Sequence, residues 1–230
     1  MKRKTRMVLA MVAGLCFSMN LFANAGEDDL QKKKYANSKF TWTENYVTEG
    51  ANCALAPNAE EIVTTCLSKD GNPLRWVRKN DIYKFGKYTG TSTFETALYN
   101  MSIDEMINNF EKDGTLRTGL YWGGVWTRDV SYSSLLALAY VCPDKVKNSL
   151  EVKIDRMGRI IQDTGTGGSW PCSTDRVVWA LSAWNIYLAT GDMDWLKKAY
   201  PIIVKSLECD DMVVYNPQTG LYRGESSFID

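Results

Sequence analysis

Two hydrophobic periodicities divide this chain of 230 residues. Between residues 40 and 88, short β-favouring stretches alternate with Asn, Gly and Pro, and the clearest of them are FTWT, EIVTTCL and LRWVR. From residue 92 onward, apolar residues recur instead at spacings of three and four, which is the period of an amphipathic helix. The pattern predicts a small strand-rich region over residues 26–91 and a helical region over residues 92–230.

The helical region is predicted to hold two alternating kinds of helix. Three have one apolar stripe and one charged face, at residues 92–110, 144–157 and 193–208. Two have small or apolar residues on every face, at residues 130–141 and 174–190. This alternation predicts a mainly α fold, an (α/α)6 toroid in which outer helices cover inner ones. The alternative is an ordinary bundle, in which every helix has one wet face.

Local signals mark several predicted boundaries. Ser92 and Glu95 have the spacing of a capping box at the first helix start. Pro143 is expected to end the second helix, and Gly191 is typical of a helix C-terminus. The segment NPQTG predicts the turn of a β-hairpin near the end of the chain.

The N-terminus has the pattern of a secretory signal peptide at residues 1–25. A basic start, MKRKTR, precedes sixteen mostly apolar residues and the small-residue segment ANA. A retained membrane anchor is the alternative, although the apolar run is short for a bilayer span. We therefore expect a secreted or periplasmic protein with no membrane span after cleavage.

Charge and cysteine content exclude several classes of function. The chain has 27 basic and 27 acidic residues, and loss of the four basic residues of the signal leaves a net charge of −4. A mildly acidic protein has no electrostatic footprint for nucleic acid. Of six cysteines, five follow residue 25 without a CxxC pair, so no zinc site is indicated, although Cys53 and Cys66 could form a disulfide.

The chain contains no histidine, which limits the chemistry available to it. Histidine-based nucleophilic relays and histidine metal sites cannot be built from this chain alone. Acid-base catalysis would fall to carboxylates, tyrosines, lysines or cysteines. No cofactor and no metal are expected from the residues present.

Candidate chemistry is concentrated in three loops, at residues 112–129, 162–174 and 210–230. In a toroid these loops would open at the same end, so their side chains would converge. Trp and Tyr stack on the apolar faces of sugar rings, and Arg and Asp bond sugar hydroxyls. The candidate substrate-binding residues are Tyr121, Trp122, Trp126, Arg128, Asp129, Trp170, Asp175 and Arg176, and the candidate catalytic residues are Glu225 and Asp230.

These loops resemble the first half of a six-hairpin glycosidase, in the group of glucoamylases, trehalases and processing α-glucosidases. The segment VWTRD is similar to the Trp-x-Arg-Asp element of glucoamylase-type enzymes, which implies that Arg128 and Asp129 hold the sugar beside the cleaved bond. GESSFID resembles the ESGWD of trehalases, and that similarity places Glu225 or Asp230 as general acid. It aligns both only with a one-residue insertion.

The resemblance implies an inverting glycoside hydrolase that acts on an α-linked glucoside or a related oligosaccharide. Because a six-hairpin barrel has twelve helices, it also implies that this chain is a fragment without the general base and inactive alone. A non-catalytic carbohydrate-binding toroid and an α/α-toroid polysaccharide lyase are the alternatives. The structural alternatives are that Asp129 is only a helix N-cap and that Asp175 with Arg176 only begins a helix.

Overall fold

A computed structural model of the protein describes residues 35–161 and 175–223. The chain divides into two compact units, Met1–Ile107 and Asn108–Asp230. The predicted signal peptide lies outside the described residues. None of the described helices combines the length and the apolarity that crossing a bilayer requires.

The first unit is an antiparallel sheet whose six strands pair in chain order, with one helix. The elements are β1 (Tyr35–Ala36), β2 (Phe40–Trp42), β3 (Tyr46–Glu49), β4 (Asn52–Asn58), β5 (Glu61–Leu67), β6 (Pro73–Val77) and α1 (Thr93–Asn108). Phe94 and Ala97 of α1 pack in one apolar cluster with Ala56 of β4 and Ile62 of β5. The helix that was grouped by sequence with the helical region therefore packs on the sheet.

The start of α1 has the predicted capping interaction in a shifted form. The Ser92 hydroxyl accepts the Glu95 backbone N–H at 3.1 Å, as a capping box requires. The Glu95 carboxylate does not return to Ser92 but accepts the Thr91 N–H at 2.7 Å. The first bond satisfies a backbone donor that the first helical turn leaves without a partner, and the second ties the residue before the cap to the helix.

The predicted disulfide option between Cys53 and Cys66 is wrong, because both thiols are free. The Cys53 N–H donates to the Thr65 hydroxyl across the β4 and β5 pair at 2.8 Å. Cys66 is the next residue after Thr65, and successive side chains of a strand point to opposite faces. Burial also raises the pKa of Cys53 to about 11, so this thiol stays protonated at neutral pH.

A buried carboxylate joins α1 to the segment that follows β6. Asp104 of α1 is buried and accepts the indole N–H of Trp76 at 3.0 Å. It also accepts the backbone N–H of Lys79 at 3.3 Å and the backbone and side-chain N–H groups of Asn80, each at 2.8 Å. Burial by itself would raise the pKa of Asp104, but these hydrogen bonds outweigh burial and lower the pKa below its ordinary value.

Replacing Asp104 with Asn is expected to reduce the free energy of unfolding by about 2 kcal/mol at pH 7, because the hydrogen bonds to a charged acceptor are lost. Since the folded state lowers the pKa of Asp104, its contribution is complete above the unfolded value of about 3.9 and disappears as the pH falls through the folded value. Urea unfolding at pH 7 and in acid should show the variant and wild type converging on acidification. The exposed Asp70→Asn should match wild type at both pH values.

The second unit contains the remaining helices and a short terminal hairpin. Its elements are α2 (Thr127–Ser133), a π-helical segment (Ser134–Leu138), α3 (Ala139–Val141), α4 (Pro143–Glu151), a 3-10 turn (Asp175–Val178), α5 (Trp179–Thr190), α6 (Met193–Val213), β7 (Tyr215–Asn216) and β8 (Leu221–Tyr222). The hairpin predicted at NPQTG is confirmed by the pairing of β7 with β8. Gly191 ends α5 in the left-handed conformation at φ 68°, which confirms its predicted role.

Two buried tryptophans form the centre of this unit. Trp179 of α5 and Trp195 of α6 have ring centroids 5.8 Å apart. The indole N–H of Trp179 donates to the Leu150 carbonyl at 2.9 Å, and that of Trp195 donates to the Ala183 carbonyl at 3.0 Å. Because both polar atoms have acceptors, these large rings are buried without an unpaired indole N–H.

Two hairpins with the same bonding pattern follow α1 and α4. The first hairpin spans residues 109–117, and its ends are joined by a hydrogen bond from the Arg117 N–H to the Asn109 carbonyl at 3.0 Å. The second spans residues 153–161, and its ends are joined by a hydrogen bond from the Ile161 N–H to the Lys153 carbonyl at 2.8 Å. Each hairpin turns at a glycine with positive φ, which is 87° at Gly114 and 77° at Gly158. The helix predicted at residues 144–157 therefore ends at Glu151, where this turn geometry replaces it.

Each of these hairpins is held by a buried serine of a later helix. The Leu116 N–H donates to the Ser149 hydroxyl of α4 at 2.9 Å, and the Ile160 N–H donates to the Ser206 hydroxyl of α6 at 3.0 Å. Both serines also donate to the carbonyl four residues earlier in their own helices. The same contact therefore occurs twice in this unit: a serine of a later amphipathic helix bonds the backbone of a hairpin.

The predicted mainly α toroid is wrong. The described residues contain a six-stranded antiparallel sheet and far fewer helices than the twelve of a six-hairpin barrel. The two apolar helices are not enclosed as an inner ring, because each exposes large side chains. Leu136 and Tyr140 are 82% and 64% exposed, and Trp184 and Leu188 of α5 are 47% and 54% exposed.

Candidate functional site

The first aromatic loop, residues 118–124, is a compact turn closed by backbone hydrogen bonds. The Thr118 N–H donates to the Gly124 carbonyl at 3.1 Å. Inside that pair, Gly119 and Trp122 exchange N–H to carbonyl bonds at 3.1 and 3.2 Å. The loop therefore has a defined backbone shape, which is what a preformed binding surface requires.

Arg117, the residue directly before this loop, supports the first part of the loop. Its guanidinium donates to the carbonyls of Gly119 at 3.0 Å and Leu120 at 3.3 Å. The aromatic side chains of the loop lie in solvent. Tyr121 is 82% exposed and Trp122 is 62% exposed, so both rings are accessible to a ligand.

A cleft of about 190 Å³ lies beside this loop at the start of α2. Trp122 and Trp126 form one wall, with their rings edge to face at a centroid distance of 5.8 Å and an interplanar angle of 74°. The described residues that line the cleft are Thr118, Trp122, Trp126, Arg128 and Asp129. Four of them are predicted site residues, and we call this site the tryptophan cleft.

Asp129 lies at the third position of α2 and does not cap the helix. The N-cap residue is Trp126, and its side chain makes no capping hydrogen bond. The Oδ2 atom of Asp129 is buried and has no hydrogen-bond partner among the described residues. A buried carboxylate oxygen without a donor is costly. Asp129 also lines the cleft, so its carboxylate is the hydrogen-bond acceptor that this site offers a ligand.

The arrangement matches the chemical demands of a neutral sugar. Ring faces at a Trp pair favour the C–H face of a pyranose, and Asp129 supplies an acceptor for a hydroxyl donor. The guanidinium of Arg128 supplies donors for hydroxyl oxygens. Arg128 and Asp129 carry opposite charges in the same cleft, so the site has no excess charge that would favour a charged sugar.

Arg176 does not belong to this cleft. It is 1% exposed and donates through Nη2 to Asp210 of α6, which is also buried. Burial raises the pKa of Asp210, and the charge of Arg176 opposes that rise. The ion pair attaches the start of α5 to α6, so the structure gives Arg176 a role in packing.

The other candidate residues fall outside what the structure describes. Trp170, Glu225 and Asp230 lie in segments 162–174 and 224–230, and the side chain of Asp175 is likewise outside the described part. Their predicted roles stay predictions. The structure brings together only the residues of the first predicted loop, at the tryptophan cleft.

Volume alone does not select the functional site in the second unit. A groove of about 560 Å³ between α5 and α6 is larger, but Lys197 alone is charged among the described residues that line it. A second groove of about 500 Å³ is lined by acidic and basic side chains of the first hairpin, including Glu111 and Asp113. Neither contains a predicted site residue, whereas the smaller tryptophan cleft contains four.

A metal site needs several ligand side chains close together. Over residues 35–161 and 175–223, no three His, Cys, Asp or Glu side chains are grouped so that they could hold a metal ion. The site is therefore interpreted from aromatic rings, an Arg and a carboxylate.

Two residues of the site were missed by sequence reasoning. Thr118 lines the cleft, and Lys153 contacts the chain next to it through Val125. The available signal was the similarity of EKDGTL and DRMGRI, two turns with Gly at the same place before an apolar residue. Reading residues 144–157 as one helix concealed this similarity.

Comparisons of the chain with known protein families, with curated proteins and with solved structures find no match. The resemblance to six-hairpin glycosidases thus rests on the sequence segments themselves, and its implications for function stay a hypothesis.

Proposed function

We propose that the protein binds a neutral carbohydrate in the tryptophan cleft and that its reaction is hydrolysis of a glycosidic bond. The observation that carries this proposal is that the Asp129 carboxylate and two tryptophan rings line one cleft. The site offers a ligand an apolar ring face and a hydrogen-bond acceptor in the same small space. A sugar ring presents both complements, a C–H face and hydroxyl donors.

The size of the cleft favours a single sugar ring at this position. Its volume of about 190 Å³ is below the roughly 300–1,000 Å³ of pockets that enclose drug-sized ligands. The exposed Tyr121 and Trp122 lie at the surface of the same loop and could support further sugar units. The cleft is therefore proposed to hold one residue of a longer neutral oligosaccharide.

Hydrolysis would require two carboxyl groups in addition to this binding site. One protonates the leaving oxygen, and the other activates water or attacks the sugar carbon. Glu225 and Asp230 are the candidates for the acid, as the GESSFID resemblance implies. Asp129 is assigned to hydroxyl binding because it lines the cleft next to the stacking tryptophan rings.

The proposal is tested by adding neutral α-linked and β-linked oligosaccharides to the purified chain. Tryptophan fluorescence and calorimetry measure binding, and a reducing-sugar assay measures hydrolysis. Because the chain has eight tryptophans, Trp126→Phe and the remote Trp184→Phe serve as a matched pair to assign the signal.

Saturable binding that Trp126→Phe weakens and Trp184→Phe leaves unchanged supports the sugar-binding proposal. Release of reducing sugar supports hydrolysis, and binding without release overturns the hydrolysis part in favour of a non-catalytic binding protein. Absence of binding across the panel overturns the whole proposal.

A further inference from the structure

We propose that Lys153 is a positioning residue for the tryptophan cleft, acting on Trp126 through the Val125 carbonyl. This inference rests on the proposed sugar-binding function. Lys153 does not line the cleft itself, and its contact is with the chain that enters it.

The first observation is the burial of this lysine. Lys153 is fully buried, and its Nζ donates to the Val125 carbonyl at 2.9 Å. Lysines are almost never fully buried without paired partners, because removing an ammonium from water is expensive. Because burying the Lys153 ammonium is unfavourable, we expect its hydrogen bond to hold the Val125 carbonyl in a defined position.

The second observation is that the same hairpin holds the chain on the other side of Trp126. The Thr127 hydroxyl donates to the Ile161 carbonyl at 2.5 Å, and Thr127 is fully buried. Ile161 and Lys153 are the two residues that close the hairpin through their own backbone bond. One closing pair therefore contacts the residues immediately before and after Trp126.

The third observation is that the hairpin itself does not require a lysine. The equivalent closing residue is Asn109 in the first hairpin and Val214 in the terminal hairpin, where the Arg223 N–H donates to its carbonyl. Val214 is buried, so an apolar side chain can close such a turn. Formation of the hairpin therefore does not require the ammonium of Lys153, whereas its bond to the Val125 carbonyl connects it to the cleft.

The bond to Val125 can orient Trp126 because the peptide group between them is planar. Fixing the carbonyl of one residue fixes the direction in which the chain enters the next. Trp126 is the N-cap residue of α2, and Asp129 follows within the first turn. A displaced Val125 carbonyl would move the stacking ring and the hydroxyl-binding carboxylate together.

The test compares Lys153→Met with Lys147→Met. Methionine keeps most of the length of the lysine side chain and removes the donor. Lys147 is the control, a less buried lysine whose Nζ bonds Asp192 at 2.7 Å, at the start of α6. The readouts are oligosaccharide affinity, urea unfolding, and the circular-dichroism couplet of the Trp122 and Trp126 rings, which Trp126→Phe identifies.

We expect Lys153→Met to weaken sugar binding by about tenfold or more and to change the couplet, because small displacements of a binding group cost large factors. Lys147→Met should alter neither readout. A folded Lys153→Met protein with wild-type affinity and couplet would overturn the proposal. If Lys153→Met does not fold, Thr127→Val removes the opposite contact, and the same two readouts decide the matter.

The two proposals fail in different ways. If the wild-type protein binds no sugar, the proposed function is wrong, while the couplet still reports whether Lys153 orients Trp126. If the wild type binds sugar and neither Lys153→Met nor Thr127→Val affects binding or the couplet, only the positioning role is wrong.

Discussion

Replacing Asp129 with Asn is expected to lower the affinity of the tryptophan cleft for sugar by about 10- to 100-fold. A hydrogen bond to a charged group contributes about 1.5–3 kcal/mol, and each 1.4 kcal/mol is tenfold in affinity. The same change should leave the free energy of unfolding equal or higher, because Oδ2 is buried without a partner among the described residues. Loss of binding with retained stability is typical of a site residue.

The control for this prediction is Asp144→Asn. Asp144 is likewise an acidic residue in the first turn of a helix, α4, and it is exposed. If affinity fell because a negative charge at the start of a helix was removed, both variants would lose affinity. If it fell because a ligand contact was lost, only Asp129→Asn would lose affinity. Wild-type affinity in Asp129→Asn would remove Asp129 from the site, and lost stability would assign it a structural role.

Local features of this fold could be predicted from sequence because short-range chemistry decides them. Gly191 ends α5, and the Asp192 carboxylate accepts the Trp195 N–H at 2.9 Å to begin α6. Strand β4 is harder to delimit from sequence because it contains Pro57, a residue that is unfavourable inside a strand. An irregularity in pairing between Leu55 and Asn58 accommodates it, and this depends on neighbouring strands that local sequence does not specify.

The global architecture could not be predicted from helix periodicity. A helix that is apolar on every face indicates only that several faces could be buried, not that other helices cover them. Tyr140 and Trp184 on such helices are largely exposed. The sheet was also underestimated, because α1 was assigned to the helical region although its apolar face packs on strands.

The candidate site divides in the same way. The aromatic residues and the Arg-Asp pair at residues 121–129 could be identified because their types suggest sugar binding and they are close in sequence. The contact from Lys153 joins residues 28 positions apart, and nothing in the composition indicates which lysine is buried. Arg176 was assigned to sugar binding for its type alone, but its partner is Asp210.

Replacing Arg176 with Met is expected to reduce the free energy of unfolding by about 3–5 kcal/mol, because the change leaves the Asp210 carboxylate buried without its partner. The double variant Arg176→Met with Asp210→Leu should recover much of that loss, since no uncompensated charge remains. Urea unfolding of the two single variants, the double variant and wild type gives the coupling between the two positions.

The exposed pair Lys197 and Asp194 provides the contrast that identifies burial as the cause. Their side chains are 72% and 94% exposed and lie 3.3 Å apart, so Lys197→Met should change the free energy of unfolding by less than about 1 kcal/mol. If Arg176→Met were equally mild, the attachment of α5 to α6 would not depend on the buried pair. If the double variant were no more stable than Arg176→Met, lost packing around the guanidinium, and not a stranded carboxylate, would account for the destabilisation.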